Sequence, residues 1–224
     1  MYRLDEDQVV RVPAFEAFSW LEHGFGTKLS GDWPQEDGRA TLKQIHSTVT
    51  VVAGSAGVLG EGDALVTNRP GIFVAVKTAD CIPVLLVDPE RRAVAAIHAG
   101  WRGTAGNIVR SAIDTLVSEF HTHPKDLWAA VGPGIGKCCY EVSGVVAQRF
   151  AAWVPEHADA TDGTMLDLTE VNRRQLVAAG LDASHVFVTS DWCTRCTPEV
   201  LHSFRRDGAA AGRMYSAIRI QIEK

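Results

Sequence analysis

The chain is poor in the features that would place it in a membrane, outside the cell or on nucleic acid. No apolar run approaches the length of a membrane span. The opening segment, Met-Tyr-Arg-Leu-Asp-Glu-Asp, is acidic and carries none of the apolar stretch of a secretory signal. Five cysteines is an odd number, so reduced thiols in a cytoplasmic protein are expected rather than a disulfide framework. A basic surplus is missing too: the formal net charge is −5, which leaves no electrostatic footprint for nucleic acid or an anionic membrane. Internal repeats, low-complexity tracts and an obvious linker are absent as well. What remains is an ordinary globular composition over 224 residues, 46% hydrophobic and 22% charged, for which a single domain over residues 1–224 is expected.

Strand candidates rich in β-branched residues are dense: 49–53, 72–78, 82–87, 93–98, 128–131, 185–189 and 215–222. Several are apolar on both faces, which suits sheets covered on both sides. Pro83 argues against a central position for its strand unless the strand begins there. Helical spacing marks 105–120, with Thr104 as the expected N-cap. A second helix is expected over 168–179, opened by Asp167 with Glu170 three residues later and stopped by Gly180. A weaker third covers 142–153. Residues 29–38 read as a surface loop. Strands and helices do not alternate regularly, so the pattern reads as mixed α/β or α+β, not as a doubly wound parallel sheet.

Three short segments carry the chemistry: Leu-Lys-Gln-Ile-His46-Ser, Lys-Thr-Ala-Asp-Cys81-Ile-Pro and Ala-Ala-Ile-His98-Ala-Gly-Trp-Arg. Two imidazoles and a thiolate suit zinc, and three protein ligands leave the open position of a catalytic site. Each residue has an ordinary reading when taken singly. His98 reads as a core histidine, Cys81 as a small buried hydrophobe and His46 as a loop histidine. Asp63 and Asp80 are either partners that orient a ligand or plain turn residues. Gly100-Trp-Arg-Gly-Thr104 leads into a helix and offers backbone N–H groups and Arg102 to an oxyanion. Lys28 and Arg205-Arg206 are further cationic candidates. His121-Thr-His123 reads as a helix exit. Cys193-Thr-Arg-Cys196 lacks a second pair at ribbon spacing, and a zinc tetrad would have to recruit Cys138 and Cys139, so packing thiols are the default there.

The surrounding segments join these candidates. His23-Gly-Phe-Gly-Thr-Lys28, Gly62-Asp-Ala-Leu-Val-Thr67, Thr78-Ala-Asp-Cys81, His98-Ala-Gly-Trp-Arg-Gly-Thr104, Gly132-Pro-Gly-Ile-Gly-Lys-Cys-Cys-Tyr-Glu-Val142 and Phe204-Arg-Arg-Asp-Gly208 occur in order along nearly the whole chain. Together they resemble the YfiH family, once labelled polyphenol oxidases of the laccase type and now regarded as purine nucleoside phosphorylases with adenosine deaminase activity. The resemblance implies an α+β fold in four layers, α/β/β/α, with two packed mixed sheets. It also implies phosphorolysis of adenosine, inosine and methylthioadenosine by a monomer, and deamination of adenosine. Zinc would be held by His46, Cys81 and His98, with Lys28, Arg102 and Arg206 as phosphate contacts. Purine nucleosides and phosphate are the expected partners, with no nucleic acid and no membrane.

Two other chemistries use the same residues. Cys81 activated by His98 would make a metal-free cysteine hydrolase acting on an amide, as in the removal of wrong amino acids from peptidoglycan precursors that has been linked to the family. Copper would fit a two-histidine, one-cysteine set, but an oxidase with several copper centres needs many more than the 8 histidines present. The chain departs from the resembled family in three places, one of them Gly134, which stands where another cysteine is often found. It also has Lys28 where arginine is usual, and only 29–41 fills a gap that is usually longer and contains an Ala-Ser-Leu-Asn-like stretch.

Overall fold

A computed structural model describes residues 2–189 and 192–222; Met1, Ser190, Asp191, Glu223 and Lys224, which belong to the expected domain over 1–224, lie outside the described residues. The strands are β1 (Arg3–Leu4), β2 (Val10–Arg11), β3 (Leu21–Phe25), β4 (Arg39–Lys43), β5 (Thr50–Val52), β6 (Gly57–Glu61), β7 (Ala64–Thr67) and β8 (Phe73–Thr78). They continue with β9 (Ile82–Asp88), β10 (Ala93–Ala99), β11 (Trp128–Val131), β12 (Glu141–Val142), β13 (Thr164–Met165), β14 (Val186–Val188) and β15 (Met214–Ile220). The helices are α1 (Trp101–Ala105), α2 (Ile108–Phe120), α3 (Gly144–Gln148), α4 (Leu168–Ala178) and α5 (Phe204–Asp207).

Two mixed sheets form the body. One has seven strands in the order β1-β2-β3-β15-β8-β4-β6, the other six in the order β14-β11-β9-β10-β7-β5. Both contain parallel and antiparallel pairs: β4 runs parallel to β8, whereas β9 runs antiparallel to β10. All seven residues of β9 and of β10 are buried, because the six-stranded sheet is covered on both faces. Side chains alternate across it. Leu85, Val87, Val94 and Ala96 meet Val74, Val76 and Ile218 of the other sheet, while Val84, Leu86, Ala95 and Ile97 meet Ile113, Leu116 and Val171 of the helices. The expected α+β architecture with two packed mixed sheets is present. Opposite the helices, Trp33 from the 29–38 loop lies on Phe73, and the Arg219 guanidinium covers the same ring at 4.2 Å.

The seven expected strands are present to within a residue or two, whereas β1 to β4, β6, β7, β12 and β13 were not expected. Pro83 is tolerated in a central strand because β9 begins just before it, at Ile82. Asp167 caps α4 by accepting from the Glu170 N–H at 2.9 Å, and Gly180 follows with φ +109. The helix expected over 105–120 is instead two helices. Gly106 ends α1, Asn107 turns left-handed with φ 63, and α2 starts afterwards. The reason is tertiary: a Cβ on Gly106 would lie 2.6 Å from Thr48 Cγ2, so the chain passes there only without a side chain. Thr104 is therefore no N-cap. It is buried inside α1, and its hydroxyl accepts from Asn172 Nδ2 at 3.2 Å. The third helix shrinks to the five residues of α3. Ile222, expected to extend the last strand, is 72% exposed beyond the end of β15.

His23 in β3 is buried, and its Nε2 accepts from the Val12 N–H at 3.0 Å. Burial, with the nearby Arg11 charge, pushes its pKa from 6.5 to about 3. The unfolded chain therefore gains a proton below pH 6.5 that the folded chain refuses. Stability should be complete above pH 6.5 and fall as pH drops towards 3, by up to about 1.4 kcal/mol per pH unit from this group. Urea unfolding of the native protein and His23→Gln across that window should show the shallower slope in the variant; equal slopes would contradict the assignment.

Candidate active site

The β9–β10 pairing brings the key residues together. His98 is opposite Pro83 and Ala99 is opposite Ile82, so Cys81, just before β9, meets the end of β10. His46 arrives from the turn after β4 with φ 59, its ring 4.9 Å from that of His98 and nearly perpendicular to it. The ligand atoms of His46, Cys81 and His98 all lie within 4.8 Å of one another. Gly100 makes room for this grouping: a Cβ there would be 3.0 Å from both Cys81 Sγ and His46 Cδ2.

Asp63 organises the three. It stands just before β7, fully buried, and the His98 Nδ1–H donates to its Oδ1 across 2.8 Å. The same carboxylate accepts from the backbone N–H groups of His46 at 3.0 Å and Ser47 at 2.6 Å, and from the Ser47 hydroxyl at 2.7 Å. One side chain thus fixes both the His98 ring and the His46 turn. Burial works to raise the Asp63 pKa, but the bonds from His98 and Ser47 outweigh it and hold the group at about 2. His98 is pulled down by burial, yet Asp63 and Cys81 raise it to about 9. Burial likewise opposes ionisation of Cys81, and hydrogen bonds with His46 and His98 lower it to about 6.

The three residues line one side of a cleft of about 730 Å³. Lys43, Lys77, Arg102, Arg205 and Arg213 give it a cationic lining, and Trp101, Tyr140 and Phe204 give it aromatic surface. Arg205 donates to the Glu141 carbonyl at 3.0 Å and sits 5.2 Å from the Tyr140 ring centre. Burial raises the Tyr140 pKa to about 12, with the Cys81 charge adding to it, so its phenol keeps its proton.

Of the expected cations, Arg102 and Arg205 line this cleft, and Lys28 and Arg206 do not. Lys28 Nζ donates to the Pro198 carbonyl at 2.7 Å, outside it. Arg206 is tied up by Asp207 at 2.8 Å and by the carbonyls of Thr194 and Leu201. Its neighbour Arg205 faces the cleft instead, because a one-residue step in the short helix α5 turns the side chain to another face. Nor does Arg102 sit at the mouth of a long helix. α1 is five residues long, and the Thr104 N–H is already spent on the Gly100 carbonyl at 2.8 Å. Residues 29–41 do not line the cleft. Asp80 supports from behind, accepting from the Thr194 hydroxyl and the Arg205 N–H, both at 2.6 Å.

The family described as multi-copper polyphenol oxidoreductase laccase matches residues 29–221. The structure of the protein YfiH from Bacillus licheniformis superposes with a TM-score of 0.88 at 28% identity, covering 98% of this chain and 99% of that one. The chain belongs to the YfiH family. A purine nucleoside phosphorylase of Deinococcus radiodurans is 42% identical over 81% of this chain and 70% of its own length. Adenosine deaminase RL5, from an unknown prokaryotic organism, is 38% identical over 70% of this chain and 61% of its own length. No helix among the described residues is long and apolar enough to cross a membrane.

Asp63 was legible only as a turn residue or a possible orienting group, since nothing local links it to His98. Asp63→Asn keeps the shape but disturbs the His98 tautomer. It should lower the affinity of the three-donor cluster for a metal ion by roughly 10- to 100-fold, the usual cost of losing such an orienting partner. Competition with a chelating dye measures this, and unchanged affinity would remove Asp63 from that role.

Proposed function

We propose that this YfiH-family chain is a zinc-dependent purine nucleoside phosphorylase that accepts adenosine, inosine and methylthioadenosine and also deaminates adenosine. The observation that carries the reading is the His46–Cys81–His98 cluster at the wall of a cleft both cationic and aromatic. The donor set fits zinc. Two nitrogens and a sulfur lie within 4.8 Å of one another, Cys81 ionises readily, and the Asp63 bond at Nδ1 leaves Nε2 of His98 for a metal. Zinc bound there would supply Lewis acidity at an open position, as deamination by water requires. Arg102, Arg205 and Arg213 supply charge for phosphate, whose attack at the sugar's anomeric carbon releases the base. Trp101, Tyr140 and Phe204 supply surface for a purine. The same proposal treats the chain as one YfiH-like domain that acts as a cytoplasmic monomer.

A second reading draws on the bonds from His46 and His98 that ease Cys81 ionisation, and on Asp63 behind His98. Cysteine, histidine and aspartate in that order are the parts of a metal-free cysteine hydrolase acting on amides. Chelator and alkylating agent separate the two. Activity lost to chelator and restored by zinc supports the first reading; chelator-resistant activity blocked by alkylation supports the second.

The direct test is a zinc assay with a nucleoside panel, run with and without phosphate. Base release that requires phosphate supports a phosphorylase, and release without it overturns that assignment in favour of a hydrolase. His46→Ala, Cys81→Ser and His98→Ala should each abolish turnover and lower bound zinc together, with double variants scarcely worse than single ones. Arg102→Ala should keep zinc and lower phosphate-dependent turnover roughly tenfold to a hundredfold, the weight of one hydrogen bond to a charged group. Deamination should suffer less. Normal zinc and near-normal turnover in Cys81→Ser would remove the central claim.

A further inference from the structure

The four cysteines that the cleft chemistry leaves unused converge from two distant stretches of chain. Cys138 and Cys139 lie in the loop after β11, and Cys193 and Cys196 lie after β14. Their sulfurs all fall within 4.8 Å of one another. Cys139 and Cys196 are 3.3 Å apart, and Cys138 is 3.7 Å from each of them. Tetrahedral zinc with Zn–S bonds of about 2.3 Å places its sulfurs about 3.8 Å apart, so the group is already close to that shape. The backbone supports the same picture. The Gly136 N–H donates to Cys193 Sγ at 3.2 Å, and the Cys196 and Thr197 N–H groups close a turn on the Cys193 carbonyl, each at 3.1 Å. An amide N–H bond to sulfur stabilises a thiolate.

We infer that Cys138, Cys139, Cys193 and Cys196 form a second, structural zinc site, separate from the His46–Cys81–His98 cluster. Binding takes the metal from solution and releases thiol protons to solvent, with no change of oxidation state. Four thiolates fill the coordination shell, so this site has no place for substrate. Its purpose lies in what it ties down. Thr194 N–H donates to the Gly134 carbonyl at 2.9 Å, the Thr194 hydroxyl to Asp80, and the Ile135 N–H to the Asp80 carbonyl at 2.8 Å. The metal would staple together two loops that support Ile135, Tyr140 and the Asp80–Cys81 turn on one wall of the cleft.

Metal analysis of the whole protein, purified without chelator, tests this. Two zinc ions per chain are expected in the native protein, one in Cys81→Ser combined with His98→Ala, and one in Cys139→Ser combined with Cys196→Ser. Should the last variant fail to fold, the first still carries the test, since its only cysteines are the four in question. Loaded with cobalt, it should show strong thiolate-to-metal charge-transfer bands and a tetrahedral visible spectrum. One zinc in the native protein that persists in the Cys81→Ser, His98→Ala variant would uphold this site while removing metal from the cleft. No zinc and no cobalt spectrum in that variant would overturn it. So would a disulfide, seen as two of the five thiols missing from native protein denatured in chelator.

Discussion

The site depends on a single buried carboxylate. Asp63 is removed from water, a placement that would be costly without partners. Its partners are the His98 ring, the Ser47 hydroxyl and the N–H groups of Ile45, His46 and Ser47. The bonds that offset its burial are the same ones that orient the two histidines. Folding energy and functional geometry are therefore coupled at one side chain. The left-handed turn at His46, unfavourable for a side chain of that size, is held by those bonds.

The sheets decide where this carboxylate meets its ligands. β7, β9 and β10 are neighbours in the six-stranded sheet, packed between helices and the second sheet, so their register is well defined. Asp63, Cys81 and His98 stand at one end of these three strands, which places them at the rim of a rigid layer. The cleft is completed by less regular parts: α1, the loop carrying Tyr140, and α5 with Arg205. Rigid strands hold the reactive groups and irregular segments surround them, a division common in enzymes.

The thiols divide into two roles by their surroundings. Cys81 is set among imidazoles in a cleft, where three donors leave room for a reactant. The other four surround one another, where no room remains. On the readings proposed above, both arrangements would draw on the affinity of thiolate for soft and borderline cations, with the number of protein donors separating a reactive centre from a staple.

Local signals were legible without a structure. β5, β8 to β11, β14 and β15 show as β-branched runs, α4 shows through Asp167 and Glu170, and the loop at 29–38 shows through its turn formers, because each depends on neighbours in sequence. Resemblance grouped His46, Cys81 and His98, and the fold then brought them together. Other features were set by contacts far along the chain. Thr48 packs against the break at Gly106 and leaves no room for a side chain there, the register of β7 against β10 brings Asp63 to His98, and the face of α5 chooses Arg205 over Arg206. The convergence of Cys138 and Cys139 with Cys193 and Cys196 belongs with these, since Cys196 lies 57 or 58 residues from the first two. The sequence by itself determined which side chains were available and which local elements they build. Tertiary structure alone decided which of them meet, because strand register and close packing are properties of the assembled sheets and of no single segment.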